Sequence, residues 1–456
     1  QARVRVAAET LAVAADLAPI ETAGRLAAGI GPRQRRGLVQ QGIAPGQPGS
    51  GVPGVSFFVG ADAAARTDGL PGNDLRRRRF GGRAQWLLAG DGAIDLLASS
   101  ASRAFGARGF YGTPRSLPSE EEVAQTLLLA SYGRGGRAGR DFDRVSAALT
   151  RARDTYWYGG RAGGVPNRHR STVLSLHGER ARPYGETLTL HLRGDWTGEW
   201  LRSRALGDHA RNSLSFAALP TWTWGAVSLR VGGAFEGFDD DRPGWLPALG
   251  AEVRANDRHT LFVNYSEALR QPSYTEYQYN NPTSLGNSGL ERQQTRTAEA
   301  GWRGTWPGAE ASLAGFAEHA RSAVDWLLLE RGDTTYRAVN LDEVWRFGLA
   351  YAGRADLGRR HALSFSGLFQ EQSCDTPYYA SRYLMDSVRR DLRTDWVWRA
   401  APGWEARLWQ RVQEMADNPL RRRGGRRWLI GAEARWQPSR VPGLTWTAGV
   451  ANLLDG

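Results

Sequence analysis

Hydrophobic and polar residues alternate along much of this chain. Residues 187–196 read TLTLHLRGDW, which places Leu188, Leu190 and Leu192 on one side and mostly polar residues on the other. The same period of two recurs in residues 227–231, 261–265, 428–436 and 444–450. A period of two predicts β-strands that each have one apolar and one polar face.

Strands of this kind suit two classes of protein. A transmembrane barrel has lipid on one face of its sheet and water on the other, whereas a soluble sheet buries its apolar face in a core. No run of about 18 apolar residues occurs, so the sequence predicts no transmembrane helix. The mean hydropathy of -0.48 is compatible with a barrel, because a barrel strand needs only about ten residues of alternating polarity.

The connections between the predicted strands favour the barrel. Short connections rich in Gly, Pro, Asn and Asp are predicted at residues 89–93, 220–225, 255–258, 305–308, 357–360 and 401–403. Long connections are predicted at residues 62–78, 102–123, 154–170, 197–211, 236–247, 270–294, 371–392 and 414–426. Short and long connections thus alternate, except at the Gly- and Arg-rich residues 133–143. The alternation predicts an all-β, antiparallel, up-and-down transmembrane barrel with short periplasmic turns and long extracellular loops.

The expected size of the barrel follows from the strand pattern. We expect about 19 strands between Val55 and Leu453, and residues 3–17 and 23–30 would raise the total to about 19–22. Residues 1–50 form an ambiguous N-terminal segment that would hold the first barrel strands, and residues 51–456 form the predicted barrel domain. Trp and Tyr often lie near predicted strand ends, as aromatic girdles at the two membrane interfaces require. Ordinary enrichment of aromatic residues in strands is the alternative.

The net charge of +12 comes entirely from arginine, because the chain contains no lysine. Nucleic-acid binding would require these arginines to gather on one segment, and they are instead spread along the whole chain. The local runs Arg76–Arg79 and Arg421–Arg423 are predicted to lie in solvated loops that face an anionic surface. A single cysteine, Cys374, excludes an internal disulfide framework and a cysteine metal cluster.

Residues 264–304 resemble the barrel of a TonB-dependent receptor. Arg270, Pro272 and Ser273 match the Arg-x-Pro-Ser element that ends an ascending strand in that family, and a long outer loop follows. Residues 286–293 (GNSGLERQ) match the family's Gly-Asn-Pro-x-Leu-Lys-Pro-Glu pattern with its Pro and Lys replaced. Glu299 and Gly301 then stand at the family's Glu-x-Gly pair.

Other segments extend the resemblance from about Gly51 to the end of the chain. Residues 316–329 and 338–351 are similar to the next hairpin, and residues 450–456 (VANLLDG) are similar to the family's Asn-Leu-Phe-Asp element with Leu454 in place of Phe. Residues 105–132 resemble a hairpin of the cobalamin-receptor-like branch. The family also has a TonB box, a plug domain and a last strand with a C-terminal aromatic residue, which we expect to be missing from this chain.

The resemblance implies an outer-membrane receptor that binds a scarce large nutrient and imports it with TonB energy. It favours cobalamin as the nutrient and an iron-siderophore next. The TonB–ExbB–ExbD system would act through a plug domain outside this chain, and the other partners would be outer-membrane lipid and lipopolysaccharide. We expect a monomer that binds no nucleic acid, requires no cofactor and is not an enzyme.

Candidate ligand contacts lie in the long predicted loops. Aromatic and amide side chains offer flat contact surfaces and adaptable hydrogen bonds to a large amphipathic ligand. Packing within girdles or loops is the alternative for any one of them. The candidates are Tyr156, Trp157, Tyr158, Tyr274, Tyr277, Tyr279, Asn280, Asn281, Tyr378 and Tyr379, with Tyr383 beside the last pair.

Other chemistry finds little support. Asp239, Asp240 and Asp241 form an acidic run that suits Ca²⁺ in principle, but a solvated loop explains it as well. The seven histidines show no paired metal-ligand spacing, and neither a GxSxG nor a Walker A motif is present. The alternatives that stay open are a passive porin or structural barrel without TonB coupling, an outer-membrane barrel enzyme, and a soluble all-β carbohydrate-binding protein.

Overall fold

The structure is a computed structural model that describes most of the chain. The described residues are 23–31, 34–43, 54–66, 74–88, 91–108, 117–135, 141–162, 164, 166–239, 241–281, 283–421, 424–439 and 445–453. They form 24 strands, of which three are two-residue pairings inside connections: Asn280–Asn281, Ser284–Leu285 and Ala380–Ser381. With these three set aside, the strands between Val55 and Leu453 agree with the predicted number of about 19.

The first strands of the chain are β1 (Ala23–Gly31), β2 (Gln34–Ile43), β3 (Gly54–Arg66), β4 (Leu75–Leu87), β5 (Gly92–Gly106), β6 (Glu120–Arg134), β7 (Phe142–Trp157), β8 (Asn167–Tyr184), β9 (Leu188–Ser203) and β10 (Gly207–Trp224). They are followed by β11 (Val227–Phe238), β12 (Asp241–Arg254), β13 (His259–Arg270), helix α1 (Tyr274–Gln278), β14 (Asn280–Asn281), β15 (Ser284–Leu285), β16 (Gln293–Trp306) and β17 (Ala309–Leu328). The last are β18 (Tyr336–Leu357), β19 (His361–Cys374), β20 (Ala380–Ser381), a 3-10 turn (Leu384–Asp386), β21 (Val388–Ala401), β22 (Trp404–Met415), β23 (Arg426–Trp436) and β24 (Trp446–Ala451).

The chain divides into two compact units. The first comprises Gln1–Pro220, Ala234–Trp245 and Ser273–Asn280, and the second comprises Thr221–Gly233, Leu246–Pro272 and Asn281–Gly456. In the first unit each strand from β1 to β8 pairs antiparallel with the next strand in the chain. In the second unit β12, β13, β16, β17, β18, β19, β21, β22, β23 and β24 pair antiparallel in that order. Both units therefore have the predicted up-and-down connectivity.

Within each unit the sheet has two faces of opposite character. One face, which we call the apolar face, leaves large hydrophobic side chains exposed, among them Phe80, Leu128 and Leu176 in the first unit and Leu261 and Phe347 in the second. Leu128, Leu149 and Leu174 lie directly beside one another on β6, β7 and β8. A row of this kind leaves apolar surface that a protein surrounded by water would bury.

The opposite face, the polar face, carries cross-strand ion pairs. Glu199 on β9 accepts a hydrogen bond of 2.6 Å from Nε of Arg211 on β10, and both side chains are largely shielded from solvent. Glu318 and Arg346 lie directly opposite each other on β17 and β18, joined at 2.8 Å. Pairs of opposite charge stabilise neighbouring strands and let charged side chains remain on an inner surface.

Aromatic rings gather at the ends of strands that short turns connect. His259, Trp302 and Trp306 form one cluster beside the turn at residues 307–308, with ring centroids 5.5–5.9 Å apart. Trp404 and Trp436 stack at 5.4 Å beside the turn at residues 402–403. These positions fit the predicted aromatic girdle at that end of the strands.

Several predicted loop boundaries are wrong. Arg76–Arg79 lie inside β4, where Arg77 pairs with Asp62 of β3, so the arginine run is strand and not loop. The predicted long connections at residues 197–211 and 236–247 are largely strand, because β9 ends at Ser203 before β10 begins at Gly207, and β11 ends at Phe238 before β12 begins at Asp241. The strands continue although the period-two signal is lost, for example where the neighbouring apolar residues Trp200 and Leu201 lie on opposite faces of β9.

The alternation of connections holds best toward the end of the chain. Residues 255–258, 307–308, 358–360 and 402–403 are short turns, whereas residues 271–292, 329–335, 375–387 and 416–425 are longer connections. The predicted strand at 23–30 is confirmed as β1, and the predicted strand at 3–17 lies outside the described residues. In the part of the chain that the structure describes, no helix is long and apolar enough to span a membrane.

Candidate ligand-binding site in the connecting loops

The hairpin of β17 and β18 extends beyond its neighbours in the second unit. The pairing of β16 with β17 ends at Gln294 and Arg321, and the pairing of β19 with β18 ends at Cys374 and Val344. Residues 323–328 of β17 and 336–341 of β18 therefore have no neighbour among the long strands on their outer edges. Unpaired strand edges present free N–H and C=O groups, which are ready to pair with another segment.

Two connections occupy these free edges. β15, from the connection between β13 and β16, pairs in parallel with β18 at Tyr336 and Arg337. β20, from the connection between β19 and β21, pairs antiparallel with β17 at Leu327 and Leu328. Each connection thus adds a short strand to one edge of the hairpin, and backbone hydrogen bonds fix both to it. We call the assembly of the hairpin end with residues 284–291 and 375–387 the loop platform.

Asp325 fixes the second of these connections from beneath. Its side chain is 1% exposed, and its carboxylate accepts hydrogen bonds from the backbone N–H groups of Trp326, Tyr383 and Leu384 at 2.6–3.3 Å. Burial raises the pKa of the Asp325 carboxyl, and the backbone donors oppose that rise. A buried carboxylate that holds three N–H groups fixes the path of the chain over residues 381–384.

Arg382 is held on top of the loop platform between two aromatic rings. Its guanidinium carbon lies 4.3 Å from the centre of the Tyr336 ring and 5.2 Å from that of the Trp326 ring. One Nη donates to Ser284 at 3.3 Å, and the guanidinium makes no ion pair with any described carboxylate. Cation–π contacts orient the group without neutralising it. Most of its five N–H donors consequently remain available to an anionic ligand.

A small hydrophobic core supports the loop platform. Buried Leu327, Leu341 and Leu384 pack together, and Tyr378 and Cys374 contact them from the side. Burial raises the pKa of both the Tyr378 hydroxyl and the Cys374 thiol, so each stays protonated in this apolar setting. Tyr378, a predicted ligand contact, thus lies partly inside the platform.

A third connection, residues 416–425, supports the same segment. Arg421 donates to the carbonyl oxygens of Ala416 at 2.6 Å and Met385 at 3.1 Å, and to the Asp386 carboxylate at 3.2 Å. Asn418 also donates to Asp386 at 3.3 Å. Arg421 therefore lies in a connection, as predicted, while Arg422 and Arg423 lie outside the described residues.

In the first unit, helix α1 brings another predicted contact against β10. Ser273 caps the helix by a capping box with Glu276, which fixes where the helix begins. The ring of Tyr274 stacks on His209 with centroids 5.1 Å apart, and the guanidinium of Arg211 lies 4.6 Å from the Tyr274 ring centre. The Tyr274 hydroxyl oxygen is buried and has no hydrogen-bond partner among the described residues. A buried polar atom of this kind is ready to bond to water or a ligand.

The surroundings of Tyr274 also change its acidity. Burial raises the pKa of Tyr274 to about 12, with Glu199 and Asp239 adding to the rise and Arg211 opposing it. The hydroxyl is therefore protonated under all ordinary conditions, so it can act as a hydrogen-bond donor toward an anionic or carbonyl oxygen.

The other predicted contacts have varied positions. Tyr158 is 55% exposed at the start of the connection after β7. Trp157 lies beneath the guanidinium of Arg161, 4.4 Å from the ring centre, and Tyr156 is the residue before it in β7. Tyr277 lies in α1 and Tyr379 lies in the connection before β20.

Tyr279 and the two asparagines end the same helical segment. The backbone N–H of Tyr279 donates to Thr275 at the end of α1, and Asn280 and Asn281 form β14. The Asn281 side chain accepts from the N–H and hydroxyl of Thr283 at 2.9 and 3.1 Å. This bonding shapes the local turn, which leaves fewer polar groups of Asn281 for a ligand.

Residues that the sequence analysis did not select carry much of the loop platform. Asp325, Trp326, Tyr336 and Arg382 lie within or beside strands whose apolar pattern concealed them. The order Asp325–Trp326 before three leucines interrupts the alternation, and this interruption was the available signal. No cluster of three or more His, Cys, Asp or Glu side chains suited to a metal occurs among the described residues. In the acidic run, Asp239 accepts hydrogen bonds from Asn212, and Asp240 lies outside the described residues.

The sequence matches one family model along nearly its whole length. Residues 32–453 match the model described as TonB dependent receptor-like, beta-barrel. Among curated proteins, none matches this chain.

Solved structures of this architecture resemble the chain in fold. The siderophore receptor PirA from Pseudomonas aeruginosa is 15% identical with a TM-score of 0.73, and the match covers 93% of this chain and 74% of PirA. A structure of the ferric enterobactin receptor PfeA, also from Pseudomonas aeruginosa, is 15% identical with a TM-score of 0.75 and coverages of 96% and 76%. A double mutant of the Serratia marcescens hemophore receptor HasR is 13% identical with a TM-score of 0.72 and coverages of 94% and 77%.

Proposed function

The chain belongs to the TonB-dependent receptor β-barrel family, and from this premise we propose that it is the barrel of an importer that captures a scarce nutrient in its extracellular loops. It lies in the outer membrane, where the exposed apolar face of its strands meets lipid. In this proposal the TonB–ExbB–ExbD system supplies energy through a plug domain, the barrel acts as a monomer, and the nutrient undergoes no covalent change.

The proposed ligand is an anionic iron chelate of the siderophore type. Arg382 carries this proposal, because two aromatic rings hold its guanidinium in place and no described carboxylate neutralises it. The charge of Arg382 suits the anionic oxygens of such a ligand, and the half-buried ring of Tyr336 beside it suits a flat, partly apolar chelating group.

The names of the similar structures support the same class. They include receptors for siderophores, for ferric enterobactin and for a heme-carrying protein. The resemblance of residues 105–132 to the cobalamin-receptor-like branch favours cobalamin, and the names of these structures do not mention it. Cobalamin therefore becomes the second ligand to test.

A ligand panel tests the proposal. The full-length receptor in detergent is titrated with ferric enterobactin, heme and cyanocobalamin while tryptophan fluorescence is recorded. We expect binding of the ferric siderophore in the range typical of specific small-molecule sites and much weaker binding of the other two. Tight binding of cyanocobalamin alone would replace the ligand class without affecting the importer proposal.

Uptake into whole cells tests the coupling to energy. Cells that produce the receptor are supplied with the radiolabelled ligand that binds best, with and without an uncoupler of the inner-membrane proton gradient. We expect accumulation to stop when the gradient collapses. Uptake that continues unchanged would favour the passive porin.

A further inference from the structure

A group of arginines on the apolar face of the first unit serves no role in the proposed import. Arg168 and Arg170 on β8 have the same parity as Leu176, which is 46% exposed, so all three lie on the apolar face. Arg202 on β9 shares the face with Trp200, which is 42% exposed, and Arg204 follows the end of β9 beside Arg168. We call the set of five exposed side chains the arginine cluster: Arg153, Arg168, Arg170, Arg202 and Arg204.

The strand register brings like charges together. Arg170 lies directly opposite Arg153 on β7 and directly opposite Arg202 on β9. Arg168 lies beside Arg204, whose backbone N–H donates to the Arg168 carbonyl oxygen. Like charges directly opposite each other on one face of a sheet destabilise it, so this arrangement is unfavourable without a counter-charge.

The described residues supply no counter-charge to these five arginines. None of them forms an ion pair with a described carboxylate. Glu120 and Glu122, at the nearby end of β6, are both paired with Arg161. Asp208 lines the same shallow cavity of about 460 Å³ as Arg168, Arg202 and Arg204, but it makes no ion pair with them.

The opposite end of the same strands shows the contrast. Arg180 and Arg182 lie on the same face of β8, and both pair with Asp143 of β7, with Arg182 also pairing with Asp141. Arg170 and Arg180 are ten residues apart, which at about 3.4 Å per residue and a tilt of roughly 40° corresponds to about 25 Å across the membrane. That distance equals the height of the apolar band of a barrel, so the two groups of arginines mark its two edges.

The cluster therefore lies at the headgroup level of the leaflet that faces the medium, because the longer connections of these strands, residues 107–119 and 158–166, are at this end. Trp200 lies two residues before Arg202 on the same face of β9, which is the position expected for the aromatic girdle. Guanidinium groups bind phosphate oxygens in pairs, and several guanidiniums in a row match a headgroup with more than one phosphate.

We propose that the arginine cluster is a binding site for the phosphate groups of a multiply phosphorylated lipid of the outer leaflet. The headgroup supplies the counter-charge that the sheet lacks, and its acyl chains lie along the apolar rows of β7, β8 and β9 below. The proposal depends on the outer-membrane location and not on the imported nutrient, so its failure would leave the proposed ligand and transport untouched.

Lipid binding to the full-length receptor tests the proposal. The delipidated protein in neutral detergent is titrated with diphosphoryl lipid A, with the same lipid after removal of its phosphates, and with inorganic phosphate, and complexes are counted by native mass spectrometry. We expect a defined complex with the diphosphoryl lipid and at least tenfold weaker binding of the dephosphorylated form. Equal binding of the two lipids, or equal occupancy by inorganic phosphate, would overturn the proposal.

Two variants locate the site. In the variant R168S/R170S/R202S/R204S we expect affinity for the diphosphoryl lipid to fall by roughly fivefold per arginine removed, the equivalent of the attraction of one arginine to an anionic lipid surface. The control R76S/R78S removes two unpaired arginines at the same end of β4, where the cross-strand neighbours are Ala65, Ala63, Ala104 and Ser102. Its affinity should change less than threefold, and an equal loss per arginine in both variants would contradict a specific site.

Folding of the variant is checked independently. Because its substitutions remove like-charge contacts, the variant should keep heat-modifiable gel mobility in detergent at least as well as the parent. A second variant with lysine at the same four positions keeps the charge and loses the paired N–H geometry. We expect it to bind the diphosphoryl lipid with intermediate affinity, and an affinity equal to that of the serine variant would show that charge has no role.

Discussion

The arginines of the strands and the arginine of the loop platform have opposite surroundings. On the polar face, Arg346 lies opposite Glu318 and its charge is neutralised within the sheet. On the platform, Arg382 is held by the rings of Tyr336 and Trp326, and no described carboxylate neutralises it. Both are well positioned, but only the second keeps its charge for another molecule. An arginine can therefore be held in place with or without loss of its charge, and an arginine such as Arg382, held in place with its charge free, indicates a ligand-binding group.

The largest effect is expected when the support beneath Arg382 is removed. In Asp325→Ala three backbone N–H groups lose their buried acceptor, and we expect a cost of about 3 kcal/mol to the local structure of residues 381–384. Ligand binding should be lost, and proteases should cut residues 375–387 in the folded barrel. Limited proteolysis followed by mass spectrometry measures this.

A second carboxylate provides the control for Asp325. Asp333 accepts from the N–H groups of Leu329 and Glu330 at 3.0 Å, but it lies in the exposed end of the hairpin. Asp333→Ala should cost less than about 1 kcal/mol and leave residues 375–387 resistant. Equal protease sensitivity of the two variants would show that Asp325 has no special role in the platform.

The next largest effect is expected from Arg382 itself. Arg382→Ala removes the charged donor without removing any buried acceptor, so the platform should stay folded while the affinity for an anionic ligand falls by about 2 kcal/mol, or about 30-fold. Fluorescence titration with the ferric siderophore measures the affinity. Arg331→Ala removes the same charge from the exposed residues 329–335 and is expected to change the affinity less than threefold. If the two variants weaken binding equally, only the net charge of the loops matters.

The sequence predicts the strands and misses the platform for a physical reason. Alternation such as Leu188–Leu190–Leu192 is imposed by lipid on one side and water on the other, so it can be read from neighbouring residues. Arg382 and Asp325 acquire their roles from contacts across the β17–β18 hairpin and the connection at residues 375–387, which no local pattern records.

The predicted loops that are strands in the structure are also explained by the limits of local sequence patterns. Residues 197–211 lose their alternation although β9 and β10 continue, because neighbouring apolar residues such as Trp200 and Leu201 lie on opposite faces of β9. The arginine run 76–79 is predicted to be a loop, whereas in the structure successive arginines point to opposite faces of β4 and Arg77 pairs with Asp62. Tyr274 was selected from its loop, but its contacts with His209 and Arg211 required the predicted loop at 197–211 to be strand.

A smaller effect is expected from the ion pair between Glu318 and Arg346. A double-mutant cycle with Glu318→Gln and Arg346→Gln should give a coupling energy of about 0.5–1 kcal/mol, because both side chains are about one-third exposed and lie directly opposite each other. Urea unfolding in lipid vesicles measures the coupling. Neither variant should alter the affinity for the ferric siderophore more than twofold, and a loss comparable to that of Arg382→Ala would make the polar face part of the ligand site.

The smallest predicted effect concerns the pH dependence of the segment around α1. Because burial raises the pKa of Tyr274 to about 12, the folded protein keeps this hydroxyl protonated at a pH where an exposed tyrosine ionises. Between about pH 10 and 12 the unfolded state therefore binds fewer protons than the folded state, and the contribution of Tyr274 to stability declines as the pH rises. Tyr274→Phe removes that decline and leaves stability at pH 8 little changed. The difference in tyrosinate absorbance between parent and variant should then titrate near the upper end of this range, and a difference that titrates near pH 10 would mean that Tyr274 is exposed to solvent.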